Sequence, residues 1–316
     1  MIAPSVTLGP LDSPADGVRI WNAACGPDLI LNARFMDYNL RPATGESQMG
    51  RVALIGAEPA GFVLASAVTD SPTGMGWIDA LAVQPEHQRQ GVGSVLLQWA
   101  ETWLRDSNCR RARLGGSLRP FAAGLPTELG SAGFFERHGY ALQRQEWDVA
   151  RILADLPTPP TASPLLETRP AAAADVSALE EFLRRQFPGR WHFEFEEFLR
   201  EGGRIADYFL AFSATALAGF ARLTFEDSER PIERFYMHRL PRPWGQLGPL
   251  GLAAESRGQG LGAALVEAAL RHLRQQGVNG CVIDWTDLLG FYAKFGFRPH
   301  RQYAIYMKAL ASAGNS

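Results

Sequence analysis

The sequence predicts an α/β (α+β) chain of two tandem modules, each a sheet flanked by helices, and three observations lead there. Gly248 to Leu265 reads as a strand, a glycine-studded turn and the first turns of a helix, with Arg257-x-x-Gly260-x-Gly262 at the bend. The same pattern occurs earlier, in Leu81 to Ser94, as Gln88-x-x-Gly91-x-Gly93. Each copy is followed by a second shared segment: Phe134-Phe135-Glu136-Arg137-His138-Gly139-Tyr140 and Phe291-Tyr292-Ala293-Lys294-Phe295-Gly296-Phe297. Gly91 to Gly260 is 169 positions and Gly139 to Gly296 is 157; the difference of 12 fits a longer loop, Gly115 to Gly133, in the first copy. A period this long marks duplicated domains, and 316 residues suffice for two.

The elements follow in order. Val6 to Leu8 is a short strand, and Ser13-Pro14 opens a helix with a capping residue and a proline in its first turn. Leu29 to Leu40 reads as a second helix, Arg51 to Ile55 and Gly61 to Val68 as strands, and Trp77 to Val83 as the strand feeding the first turn. From Val92 on, Leu96, Leu97, Ala100, Trp103 and Leu104 recur at helical spacing, so that helix buries one face. Arg111 to Leu114 is a short strand, and Tyr140 to Ile152 carries the last strand of the first module. Pro157, Pro159, Pro160 and Pro164 exclude a helix or central strand and mark a linker. The expected division is therefore residues 1–156, a linker over 157–165, and residues 166–316.

The second module repeats the plan from Thr168-Arg169-Pro170, with Asp175 capping a helix through Leu183 and a further helix over Glu194 to Glu201. Strands are expected at Tyr208 to Phe212, Leu217 to Phe225, Arg234 to Arg239 and Leu247 to Ala254. The helix after the second turn shows Leu261, Leu265, Ala268, Ala269 and Leu273 on one side. Cys281 to Trp285, Leu288 to Phe295 and Tyr303 to Met307 then read as strand, helix and closing strand.

Composition bounds the function. A 46% hydrophobic and 20% charged chain is ordinary for a soluble globular protein, and a net charge of −2 gives no global field for nucleic acid or an anionic membrane. The N-terminal residues show no basic region before an apolar core, and no apolar run reaches the ~20 residues of a membrane span. Cys25, Cys109 and Cys281 have no ligand spacing and are too few for a disulfide framework, so they read as small apolar residues in a reducing compartment. The expectation is a cytoplasmic protein with no metal, no nucleic-acid partner and no membrane partner.

The glycine turns carry the chemistry. Glycines allow a sharp bend and close backbone approach, and the helix that follows starts with free N–H groups at the positive end of its dipole. Successive N–H groups can cradle a diphosphate, and Arg257 adds a positive charge.

Gln/Arg-x-x-Gly-x-Gly after a strand, with the downstream aromatic-aromatic-x-x-x-Gly-aromatic segment, resembles the GNAT acyl-CoA-dependent N-acyltransferases, here as two modules. The resemblance implies a central, mixed but mostly antiparallel sheet splayed beside the turn, and acetyl-CoA as cosubstrate. It assigns Val83, Gln88, Arg89, Gln90, Gly91, Val92, Gly93 and Ser94 to coenzyme A in the first module. In the second it assigns Leu252, Arg257, Gly258, Gln259, Gly260, Leu261, Gly262 and Ala263. The first turn has the alternative of being a fold element only.

The family often uses a tyrosine in the downstream segment to protonate the leaving thiolate; Tyr292 stands there, and Phe135, its counterpart, has no proton to give. Core packing is the other reading of Tyr292. Where many relatives carry a strand glutamate this chain has Trp77 and Gln246, neither a base. Asp284 and Asp287 could hold a substrate ammonium or take its proton, although Asp287 could equally cap the next helix. Glu233 and His238 stand in reserve. Trp191, Tyr236, Trp244 and Trp285 offer rings on which sugar faces stack or which simply pack. The Asp284-Trp285-Thr286-Asp287 segment before Phe291-Tyr292 is similar to glucosamine/glucosaminide N-acetyltransferases. The expected function is acetylation of a primary amine of a small molecule in the second module. An acyl-CoA sensor and a protein or peptide acetyltransferase are the alternatives.

Overall fold

The computed structural model describes residues 5–27, 29–41, 43–68, 73–155, 166–214, 216–229 and 240–310. The proline-rich linker, the expected strand Arg234 to Arg239, and Glu233, Tyr236 and His238 lie outside them. The chain forms two compact units: one takes the chain through Glu146 and again from Arg301, the other runs from Trp147 to His300.

In the first unit β1 (Val6–Pro10), β2 (Glu46–Ile55), β3 (Glu58–Val68), β4 (Met75–Val83) and β5 (Arg111–Leu114) are neighbours in that order. The next strand is β13 (Arg298–Ala309), whose Met307, Lys308 and Ala309 pair with Arg113, Ala112 and Arg111, and β6 (Leu125–Pro126) pairs it farther along. All pairs here are antiparallel except β4–β5. The C-terminal strand is held by polar contacts: Lys308 Nζ sits 2.8 Å from Glu101, Tyr306 donates to Glu136 at 2.7 Å, and Arg301 to Glu128 at 2.7 Å.

In the second unit the order is β7 (Ala141–Ile152, through its Trp147–Ile152 part), β12 (Gly280–Thr286), β11 (Trp244–Leu252), β10 (Ala216–Phe225), β9 (Tyr208–Ser213) and β8 (Glu167–Pro170). Only β11–β12 is parallel. The closing strand of each sheet thus comes from the other half of the sequence. Alternation along a strand shows which residues are buried, and the partner strand is left open.

The helices are α1 (Pro14–Cys25), α2 (Ala33–Leu40), α3 (Val92–Asp106) and α4 (Ala132–Arg137) in the first unit. The second has α5 (Val176–Gln186), α6 (Arg190–Arg200), α7 (Leu261–Gln275) and α8 (Leu289–Ala293). Ser13 caps α1 by accepting the Asp16 N–H. The helix expected from Leu29 begins only at Ala33, because α1 claims the backbone before it: Trp21 donates to the Leu29 carbonyl, and Asn22 bonds both polar groups of Leu31. Asp175 does not cap α5 through its side chain. Its carboxylate accepts from Arg169 at 2.6 and 2.9 Å and from the Ala172 N–H, which holds it down at about 2.

The cores match the periodicity. Leu96, Leu97, Ala100 and Leu104 of α3 pack in a cluster with Val63, Ala65 and Ile78, and Leu265, Val266, Ala269 and Leu273 of α7 pack with Ala221, Leu223 and Leu247. Each fully buried leucine stabilises its unit by about 1.5–3 kcal/mol. Cys109 and Cys281 are buried and Cys25 half-buried, all three free.

Candidate active site

Each unit opens at the one parallel strand pair. β4 and β5 pair from Met75↔Arg111 to Ile78↔Leu114, and β4 then runs on alone to Val83. β11 and β12 pair from Trp244↔Gly280 to Gln246↔Val282, and β11 continues to Leu252. Trp77 and Gln246 therefore sit on the closed, paired rungs before the mouth. At the mouth each long strand bulges against its antiparallel neighbour: Asp79 is the extra residue between Ala65↔Ile78 and Leu64↔Ala80, and Gly248 and Pro249 lie between Leu223↔Leu247 and Ala221↔Leu250. Asp79 and Gly248 are 169 positions apart, the offset of the turns.

The turns beyond the mouths correspond position by position at the 169-residue offset. Gly91 (φ +89°) and Gly260 (φ +79°) are left-handed N-caps of α3 and α7, and no side chain caps either helix. The first N–H groups of each helix consequently lack intrahelical partners. A Cβ at Gly91, Gly258 or Gly260 would meet nothing within 4 Å, so open space faces those N–H groups, a fit for a diphosphate. Gln88 donates to the Val83 carbonyl at 3.0 Å and Arg257 to the Leu252 carbonyl at 3.2 Å, fastening turn to strand. Gln90 and Gln259 brace the loops on the Glu86 and Glu255 carbonyls at 2.7 and 2.9 Å. Val92 and Leu261 are buried first-turn residues. Gly93 and Gly262 face Phe134 and Phe291, at 3.4 and 4.0 Å from a built Cβ. Ser94 pairs its hydroxyl with His138 Nε2 at 3.1 Å, an interaction Ala263 cannot make.

Downstream the units diverge. Phe135 is a core residue, edge-on to Phe134 and Tyr140. Tyr292 packs edge-on to Phe291 and Phe297, and burial, with the Asp284 charge adding to it, pushes its phenol up to about 12. Asp284 lies two residues beyond the last β11–β12 pair, half-buried, with Oδ1 3.8 Å from where a Gly248 Cβ would stand. The Asp284 carboxylate beside the second mouth thus lies within electrostatic reach of the Tyr292 phenol.

Asp284 and Trp285 form a bulge of β12 against β7, between Ile283↔Val149 and Thr286↔Trp147. Trp285 holds φ +57°, its N–H donates to the buried Asp148 at 3.3 Å, and the Arg190 guanidinium covers its ring at 3.9 Å. A bulky residue in this region is strained, and such strain clusters at functional sites. Asp287 is exposed and does not cap the next helix: Leu288 is the cap residue, and its N–H goes to the Thr286 hydroxyl at 2.9 Å.

Sequence reasoning missed Asp79. It sought a base two residues earlier, and only the bulge turns Asp79 into the mouth. It also missed the first unit's Glu46, Ser66 and Ser117 around it, taken up below. One donor set suited to a metal occurs among the described residues: Glu180, His192 and Glu196 on α5 and α6, their ligand atoms within 4.8 Å of one another.

A splayed sheet, a left-handed glycine before a helix N-terminus and a downstream aromatic helix recur in both units. The chain belongs to the acetyltransferase (GNAT) family, which matches residues 20–140 and 176–297, so it is a tandem GNAT acetyltransferase. A mycothiol acetyltransferase from Corynebacterium efficiens is 26% identical over 96% of this chain and 99% of its own. One from Catenulispora acidiphila is 29% identical over 72% of this chain and 70% of its own. A GCN5-related glucosamine N-acetyltransferase region of a fungal multi-domain GH3 β-N-acetylglucosaminidase aligns with TM-score 0.88 and 22% identity, covering 96% of this chain. This chain spans 38% of that fungal protein. A tandem GNAT protein from the clavulanic acid biosynthesis pathway aligns with TM-score 0.71 and 16% identity over 98% of this chain and 100% of its own. Both likenesses show the fold. Among the described residues no helix is long and apolar enough to cross a membrane.

Proposed function

We propose that the second unit transfers the acetyl group of acetyl-CoA to the primary amine of a small molecule, an amino sugar or an amino-sugar conjugate. The observation that carries this reading is the Asp284 carboxylate beside the β11–β12 mouth, within electrostatic reach of Tyr292, with the open Gly258–Gly260 turn at its end. The names of the relatives, mycothiol acetyltransferase and glucosamine N-acetyltransferase, support a small amine acceptor.

In this reading Leu252, Arg257 and the N–H groups of Gly258 to Ala263 hold the diphosphate and the adjoining arm. Asp284 holds the acceptor ammonium and takes its proton, directly or through water. The freed amine forms the N–C bond, and the tetrahedral intermediate collapses with cleavage of the C–S bond. A phenol near 12 is a weaker acid than a thiol at about 8.5, so Tyr292 stabilises the departing sulfur chiefly by donating a hydrogen bond. The proton released by the amine balances the thiolate. Asp287, exposed at the same loop, is assigned to the rim where the acceptor enters.

The first unit binds acyl-CoA without chemistry in this reading, favoured by Phe135 at the acid position. The same turn, Val83 and Gln88 to Ser94, would then serve as a sensor. Release of CoA should be measured over amino sugars, amino-sugar conjugates, polyamines, amino acids and peptides side by side. Turnover highest with amino sugars or their conjugates supports the substrate class; turnover with peptides alone replaces it, and none with any amine overturns the activity.

A further inference from the structure

The first unit buries a polar group that this chemistry does not use. Glu46, at the start of β2, and Asp79, in the bulge of β4, are 8% and 5% exposed. Both Glu46 carboxylate oxygens and Asp79 Oδ1 are buried with no hydrogen bond of good geometry, although the Ala43 N–H and the Ser66 hydroxyl lie close enough to Glu46 to act on it. Ser66, on the intervening strand β3, donates to Asp79 Oδ2 at 2.6 Å, and its one proton cannot serve Glu46 as well. Gly115 (φ +64°) and Gly116 (φ +78°) turn the chain after β5 and bring the Ser117 hydroxyl to Asp79. Arg119, whose charge acts on Glu46, lies 4.8 Å over the Tyr38 ring and reaches the Tyr38 and Arg41 carbonyls at 3.4 Å.

Buried acceptors left without donors destabilise a fold, more so when they are charged. Native folds rarely leave them so, and here two such carboxyls act on each other around Ser66. The second unit reaches the same spot by another route. Gly248 takes the register position of Asp79, and Asp284, from the facing strand, brings its Oδ1 to 3.8 Å from where a Gly248 Cβ would stand. A carboxylate therefore stands at both mouths, carried by opposite strands.

We infer that the first unit has its own cation site, in which Glu46 and Asp79 take the head of a protonated primary amine. An ammonium brings three N–H donors and one positive charge to a buried acidic pair that the Ser66 and Ser117 hydroxyls leave short of donors. Neutral hydroxyl ligands bring no charge, and anions are repelled by both carboxylates. The site is separate from Asp284 and Tyr292, and the inference holds whether or not the second unit acetylates the same amine.

Burial holds both carboxyls above the usual range, with the Asp79 charge adding to Glu46. A bound ammonium would pull them down. The test is carboxyl-¹³C NMR on the full chain with labelled Asp and Glu. Midpoints are followed as pH is varied in glucosamine hydrochloride, in ethanolamine hydrochloride, and in sodium chloride of equal ionic strength. The expected result is a fall of about one pH unit or more for Glu46 and Asp79 in an amine and none in sodium chloride. Calorimetry should show at least a roughly tenfold weaker first-unit event in Glu46→Gln/Asp79→Asn, undiminished in Asp284→Asn. Midpoints that ignore both amines, or a folded double variant binding them with unchanged stoichiometry and affinity, would overturn the site. If the double variant does not fold, the wild-type titration decides alone.

Discussion

The two units make the same backbone with different residues at its hardest positions. In the first turn Arg89 is held at φ +59° where the second has Gly258 at +77°; beyond the parallel strand the roles reverse, with Gly116 at +78° and Trp285 at +57°. The carboxylate is exchanged in the same way, on β4 as Asp79 and on β12 as Asp284 facing Gly248. The left-handed positions therefore belong to the fold, and the side chains placed there distinguish the units. The first places a buried acidic pair; the second places a ring clamped by Arg190, a carboxylate and a phenol.

The largest effect that would sharpen this comparison is at the turns. Gly260→Val puts a β-branched residue at φ +79° and a side chain in the open space before α7. Acetyl-CoA affinity should fall roughly 100-fold, about 2.7 kcal/mol, by calorimetry. Gly91→Val, at φ +89°, should do the same to any binding at the first turn. Unchanged affinity in both variants would remove the diphosphate from the turns.

The next is the acidic pair. Glu46 is raised from 4.5 to about 7 and Asp79 from 3.8 to about 6, both chiefly by burial. The folded chain then binds protons more tightly than the unfolded one across that window, so these groups lower stability as pH rises through it and not as it falls. Glu46→Gln/Asp79→Asn should be the more stable protein at pH 8, by on the order of 3 kcal/mol, with the advantage fading toward pH 4. Denaturant melts at both pH values check this; a gain that is equal at both would show that charge is not the cause.

The smallest concerns Arg89. Its exposed side chain at φ +59° makes Arg89→Gly a relief of strain offset by glycine's entropy, so stability should move by no more than about 1 kcal/mol. Thermal melts and calorimetry with acetyl-CoA should both show little change. A collapse of binding would give Arg89 a contact that Gly258 cannot make.

How much of this was legible in the sequence follows from the physics of each feature. Gly91 and Gly260 announced themselves, because a left-handed cap before an amphipathic helix leaves few residues to choose from. The aromatic packing shared by Tyr292 and Phe135 was legible because both keep a ring at the same place in matching segments. Asp79 was not: one bulged residue reverses which face every later side chain takes, and a bulge leaves no mark in alternation. Asp175 misled because its carboxylate met Arg169, six residues away, before its own helix. The exchange of β7 and β13 was invisible for the same reason that any strand's partner is: burial pattern names a face and no neighbour.

That the chemistry belongs to the second unit is tested most directly by Tyr292→Phe against Phe135→Ala, in steady-state kinetics with the best acceptor and with folding checked by circular dichroism. The phenol stays protonated below about 12, so its loss should lower kcat at every working pH without moving the basic limb of the profile. The expected loss in Tyr292→Phe is about 10²–10³-fold, that of one hydrogen-bond donor to developing charge, with acetyl-CoA affinity nearly unchanged. Phe135→Ala should cost about 3–5 kcal/mol of stability through its cavity and leave kcat per folded molecule intact. Full activity in Tyr292→Phe, or a selective loss of kcat in folded Phe135→Ala, would contradict the account and move the reaction to the first unit.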